Sequence, residues 1–162
     1  MRAPRCALPQ GEACYLRAVP DASELRNEIE TLARQAKRAA RALANAPTGQ
    51  KNAVLLRAAA ALRGPEGDEV VLANQKDLVV AAERGLSSAM VDRLRLDRAR
   101  VDAIAEGVES VATLPDPVGE VLEQRKLGNG LAVARMRVPI GLIGIIYESR
   151  PNVTADAAAL CI

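Results

Sequence analysis

The chain has 162 residues, with 22 Lys+Arg against 20 Asp+Glu, three Cys, two Tyr, and no His, Phe or Trp. Half its residues are hydrophobic and a quarter charged, the balance of a soluble globular domain rather than a disordered tail. A net charge of +2 gives no basic field for nucleic acid, and the absence of His excludes Ser-His-Asp, Cys-His and His-zinc chemistry.

With almost no aromatics, the chain also lacks stacking platforms for single-stranded nucleic acid. Cys6, Cys14 and Cys161 are odd in number, far apart and without C-x-x-C spacing, so a reducing, cytoplasmic setting is expected rather than a disulfide framework. Residues 1–20 carry three prolines and scattered charges without an apolar core of a signal peptide. They read as a leader. The longest apolar run, Val138 to Tyr147, is too short to span a bilayer, so no membrane partner is expected.

Asp21 and Glu24 have the D-x-x-E spacing of a helix start, and Leu25, Ile29, Leu32, Ala36, Ala39 and Leu43 follow at helical period. Pro47-Thr48-Gly49 ends that helix, and Thr48 is placed to cap the next, whose stripe is Val54, Leu55, Ala58, Ala61 and Leu62 before Gly64-Pro65. A third helix is expected over about Glu66 to Arg84, stopped by Gly85. Ser87 or Ser88 caps a short turn to Leu94. Asp97 caps a fifth helix with the stripe Val101, Ile104, Ala105, Val108, Val111 and Ala112. Residues 21–118 therefore read as an N-terminal helical layer.

The period then changes. Gly119–Lys126 and Leu131–Val138 flank Gly128-Asn129-Gly130, a hairpin signal, so residues 119–138 read as a β-hairpin. Ile140 to Tyr147 is apolar on both faces, which predicts a strand covered on both sides, as in a parallel sheet. A polar turn, Glu148 to Asn152, leads into a helix from Val153. Residues 139–162 thus read as the start of an α/β unit. One such strand cannot satisfy its own backbone groups, so the chain is expected to be the front of a larger α/β protein.

The stretch from Arg137 to Asp156, RVPIGLIGIIYESRPNVTAD, resembles the strand-turn-helix of the γ-glutamyl phosphate reductases, the glutamate-5-semialdehyde dehydrogenases of proline biosynthesis. Asn74–Asp77, Gly85–Leu94 and Leu114–Gly119 resemble the same family in the same order. The resemblance implies an aldehyde dehydrogenase-like α/β fold: N-terminal helices, an oligomerisation hairpin, and the first strand and helix of an incomplete parallel-sheet nucleotide-binding domain. It implies reduction of L-glutamyl 5-phosphate, an acyl phosphate, by NADPH through a cysteine thiolate downstream of these residues. The 162 residues alone are then expected to be inactive, and homo-oligomerisation is expected to run through the hairpin.

The same resemblance makes Asn152 an oxyanion donor, although an Asn after Pro is equally a helix N-cap. Arg150 and Glu148 are candidates for substrate binding or for pairing with each other. Tyr147 and Ser149, at the carboxyl end of the expected strand, are candidates for contact with NADP. Gly141 and Gly144 read as close-packing positions, and Cys161 as a buried apolar residue rather than the nucleophile. No metal site is expected. The rival reading is a non-catalytic helix and hairpin module that binds a full-length subunit through the edges of its hairpin arms.

Overall fold

The structure, a computed structural model, describes residues 21–148 and 150–162. They fall into two units, 21–36 and Lys37–Ile162, to both of which helix α1 (Ala22–Leu43) contributes. In the first, Glu30 accepts from Arg34 at 2.8 Å and lies 3.9 Å from Arg26, both one turn away. Asp21 accepts from Ser23 Oγ at 2.7 Å. The expected stripe is helical but uncovered: Leu25, Ile29 and Leu32 are exposed, and no α1 residue is buried.

The second unit continues with α2 (Thr48–Arg63), α3 (Pro65–Glu83), α4 (Ser88–Leu94), α5 (Arg98–Ala112), β1 (Val121–Lys126), β2 (Ala132–Met136) and α6 (Asn152–Leu160). Its core is aliphatic and alanine-rich. Leu55 and Ala59 of α2 meet Ala105, Val108 and Ala112 of α5, and Ala159 of α6 closes the cluster. The small side chains let the helix axes approach closely, which suits ridge-into-groove packing.

Local signals set the helix ends. Asp97 accepts from Arg100 N at 2.9 Å, and Ser87, not Ser88, accepts from Met90 N. After α3, Gly85 takes φ +68° while Leu86 N bonds back to Ala81 O, a Schellman end that needs a residue without Cβ strain. Thr48 departs from expectation. It begins α2 without capping it, and its hydroxyl donates instead to Asp116 Oδ2 at 3.0 Å.

That bond belongs to a clamp between α2 and the segment after α5. Lys51 Nζ lies 2.9 Å from the same Asp116 oxygen, and Asp116 Oδ1 accepts from Val118 N at 3.0 Å. Lys51 is buried at 7% exposure, which makes its counter-charge obligatory. The Lys51 ammonium, then the Val118 amide, hold the Asp116 carboxyl below the usual carboxylate range. A depressed folded pKa contributes stability that is fully present above the unfolded value, about 3.9, and is lost as pH falls from there through the lowered folded value. The Tm advantage of the native chain over Asp116→Asn should therefore be full at pH 6 and shrink below about pH 4. Thermal melts across that range check it, and a constant difference would refute it.

β1 and β2 pair antiparallel with an irregularity between Val121 and Glu123. Their turn follows the Asn-Gly signal: Leu127 N bonds Leu131 O at 2.8 Å, Asn129 Oδ1 accepts from Leu131 N, and Gly130 takes φ +88°. Every residue of both strands is exposed.

The expected parallel strand over Ile140–Tyr147 is not formed. Residues 139–148 have no assigned element, Ile140 is 86% and Ile146 fully exposed, and the sheet has only two strands. The physical reason is the ladder: a strand exists only with a neighbour to bond, and none lies beside this segment among the described residues. Gly141 and Gly144 likewise have nothing within 4 Å of where a Cβ would stand, so neither is a close-packing position here. Among the described residues the architecture is mostly helical with one small antiparallel sheet.

Candidate functional site

The turn before α6 carries the residues that the sequence singled out. Asn152 is the first residue of α6, behind Pro151 as N-cap, and its side chain caps nothing. Its amide Nδ2 donates instead to Asp156 Oδ2 at 2.9 Å, one helical turn on. The N-cap reading is thereby set aside. An amide carries two N–H donors, and this bond uses one, leaving the other free in a half-buried position.

Tyr147 is tied to the same helix by a 2.5 Å hydrogen bond between its hydroxyl and Thr154 Oγ1. Glu148 and Arg150 do not meet: no ion pair or hydrogen bond joins them, so the paired alternative is not realised, and both are exposed. Ser149 lies outside the described residues.

Cys161 is exposed, contrary to the buried reading. It is the C-cap of α6, past Ala159, which takes the core position. At 1.5 Å rise per residue, Asn152 and Cys161 stand about 14 Å apart along the helix axis. They also line different cavities. Cys161 is not the thiol that Asn152 would serve. Cys6 and Cys14 lie outside the described residues.

The larger cavity, about 670 Å³, is bounded by α2, α5, α6 and residues 137–143. Its walls are aliphatic, and its Lys51 and Asp116 neutralise each other. It offers no unpaired charge of the kind an acyl phosphate needs. The smaller, about 300 Å³, holds Asn152 and Asp156 on one wall and Arg93, Arg95 and Arg100 on the other. That is the low end of ligand-pocket volumes, with convergent polar groups. We take it as the candidate site.

Sequence reasoning passed over those arginines and over what fixes them. Asn74 of α3 is buried at 4% exposure; it donates to Leu94 O at 2.8 Å and accepts from Leu96 N at 2.6 Å. It thus grips the backbone on both sides of Arg95. Arg100 reaches back to Asp92 Oδ1 at 2.8 Å and to Arg95 O at 3.0 Å, which closes the α4–α5 corner. The only sequence signal was Asn74 itself, a poor helix former inside a helix.

For a nicotinamide cofactor the described residues fit one end only. Tyr147 is half exposed and its hydroxyl is tied to Thr154, so part of this aromatic side chain remains accessible to a flat partner. Gly141 and Gly144 stand in open space and form no cradle for phosphates. No group of metal-ligating side chains occurs among the described residues, and none of their helices is long and apolar enough to cross a membrane.

No family model matches the chain. Curated relatives do. The gamma-glutamyl phosphate reductase of Geobacter metallireducens is 53% identical over 135 residues, which cover 83% of this chain and 32% of that protein. That of Rhodospirillum rubrum is 53% identical over 131 residues, 81% of this chain and 30% of that protein. Among solved structures, gamma-glutamyl phosphate reductase from Thermotoga maritima superposes with a TM-score of 0.76 at 44% identity, covering 79% of this chain and 31% of that one. The Saccharomyces cerevisiae enzyme gives 0.75 at 33% identity, over 80% and 33%. The chain spans about a third of the length of the curated relatives it matches.

Proposed function

The chain belongs to the gamma-glutamyl phosphate reductase family, of which it matches the N-terminal part, and from that premise we propose that it serves the reduction of L-glutamyl 5-phosphate to L-glutamate 5-semialdehyde in proline biosynthesis, with NADPH as reductant. The observation that carries this reading is 53% identity across 83% of the chain, beside a polar cavity that holds Asn152. A cytoplasmic setting goes with it.

In this reading a cysteine thiolate from a segment outside these residues adds to the acyl phosphate carbonyl, and the carbonyl oxygen takes up negative charge. Asn152 donates its free N–H to that oxygen as the charge develops, where a pre-aimed donor acts most strongly. Asp156 holds the amide in place, so its orientation costs nothing at the moment of reaction. Phosphate leaves with the electron pair of the broken carbon–oxygen bond, giving a thioester, a division of one hard step into two. A bound nicotinamide cofactor would supply the hydride for this thioester, whose carbon–sulfur bond then breaks to release the semialdehyde and return the thiolate. Tyr147, pinned through Thr154, would hold its nicotinamide end, and Ser149 is assigned the same role by resemblance alone. Arg150 and Glu148, both exposed, are left to meet substrate.

The hairpin is assigned to assembly with further copies of the enzyme. Its two strands are exposed throughout and leave unpaired backbone groups on both edges, a form that invites strand addition. The aldehyde dehydrogenase-like architecture, with Ile140–Tyr147 as an interior strand, belongs to the same reading. It explains why an all-aliphatic segment stands uncovered.

The test is a hybrid: residues 21–162 of this chain replace the matching segment of the Thermotoga maritima enzyme. NADPH oxidation dependent on L-glutamyl 5-phosphate is expected. A folded hybrid without that activity would overturn the catalytic reading and favour a non-catalytic module that binds an intact subunit.

A further inference from the structure

Resting on the reductase reading of the same site, we propose that the cavity between the α4–α5 corner and the start of α6 seats the amino-acid end of the substrate. The Arg93 and Arg95 guanidiniums take an α-carboxylate, and Asp156 takes the neighbouring α-ammonium.

The three arginines of this cavity are not alike. Arg100 is spent on Asp92 and on backbone carbonyls at the corner. The side chains of Arg93 and Arg95 have no hydrogen bond or ion pair with any described residue. Two unpaired cations on one concave wall repel each other, and an anion between them relieves that repulsion. The guanidinium fork matches a carboxylate in shape as well as charge.

A solvated surface arginine would need no explanation, but Arg95 is not freely placed. The buried Asn74 grips Leu94 O and Leu96 N on either side of it, so its backbone is fixed before any ligand arrives. Such preorganisation lowers the entropy lost on binding.

The opposite wall decides which anion. Asp156 Oδ2 is held by Asn152, and its other oxygen is unengaged. A carboxylate on the wall repels a phosphate dianion, yet it suits an ammonium. Cations facing one carboxylate therefore match the zwitterionic head of an α-amino acid rather than a phosphate. With the head seated there, the reacting carbonyl at the end of the glutamyl side chain lies toward Asn152 on the same wall.

The direct test titrates L-glutamate, glutarate and inorganic phosphate into the 162-residue chain, read at the arginine Nε–H resonances. Saturable shifts with L-glutamate are expected, weakened about tenfold or more by Arg95→Ala, as loss of a charged hydrogen bond implies. Glutarate, which lacks the ammonium, should bind several-fold more weakly than L-glutamate, a preference that Asp156→Asn abolishes. Absence of saturable glutamate binding, binding indifferent to Arg93→Ala and Arg95→Ala, or tighter arginine-dependent binding of phosphate would each overturn the seat. Both arginines are exposed, and circular dichroism melts of the variants check that the chain remains folded. In the hybrid enzyme Arg95→Ala should raise KM with little change in kcat. An active hybrid whose KM does not move leaves the reductase reading intact and removes the seat. An inactive, folded hybrid with intact glutamate binding removes that reading and supports the seat.

Discussion

Gly67→Ala is expected to destabilise the chain by about 3 kcal/mol or more, although alanine is the better helix former by about 1 kcal/mol. Gly67 is buried in the first turn of α3, against the end of α2. A Cβ there would stand 1.8 Å from the carbonyl oxygen of Leu62, 2.8 Å from its carbonyl carbon and 3.1 Å from Arg98 Nη1. The first two are backbone, so no rotamer change relieves them. The corner cannot open cheaply either. Gly64 alone joins the helices, Gly67 N bonds Gly64 O, and Arg98 ties Arg63 O at 2.6 Å to Asp68 at 2.9 Å. A loss of this size is a large part of the stability of an ordinary domain. Gly107 supplies the control: it is exposed in mid-α5 with nothing within 4 Å of a Cβ, so Gly107→Ala should stabilise by about 0.5–1 kcal/mol. Urea midpoints of the two variants should move in opposite directions. A Gly67→Ala midpoint equal to the native one would refute the corner argument.

The contrast between those two glycines shows where the sequence is readable. Helix ends are decided within a few residues, so Asp97, Gly85 and the Asn129-Gly130 turn stood where local chemistry puts them. The α5 stripe was also legible, because burial at helical period needs only one face. Thr48 was not. Its capping role lost to Asp116, which lies 68 residues away and is already committed to Lys51. Gly67 reads like any small residue in a helix until α2 is placed against it. Ile140–Tyr147 fails for a related reason: its alternation-free pattern reports two covered faces, and cover is supplied by other chain segments.

One wall of the candidate cavity was legible. Asn152 was singled out by resemblance, and its tie to Asp156 could have been read from the i,i+4 spacing. The facing wall could not. Arg93 and Arg95 are ordinary solvated arginines in sequence, and only the Asn74 clamp and the approach of α6 to α5 give them a cavity.

Asn152→Ala, made in the hybrid enzyme, is expected to lower kcat about a hundredfold or more, with KM for L-glutamyl 5-phosphate nearly unchanged. The reasoning follows from when the charge appears. In the ground state the acyl phosphate carbonyl is a weak acceptor, so removing one donor costs little affinity. In the adduct the oxygen is anionic, and the lost N–H removes a pre-aimed donor where the charge is largest. Asp156→Ala separates donation from orientation. It leaves the amide present but free to rotate, so kcat should fall by less than in Asn152→Ala, and the kcat of the double variant should be no lower than that of Asn152→Ala alone, while the loss of Asp156 raises KM in both backgrounds. A structural role for the pair predicts otherwise: both single variants would lower Tm in step with activity, and their effects would add. Equal kcat for the native hybrid and Asn152→Ala would remove Asn152 from the reaction and leave its bond to Asp156 as a helix contact only.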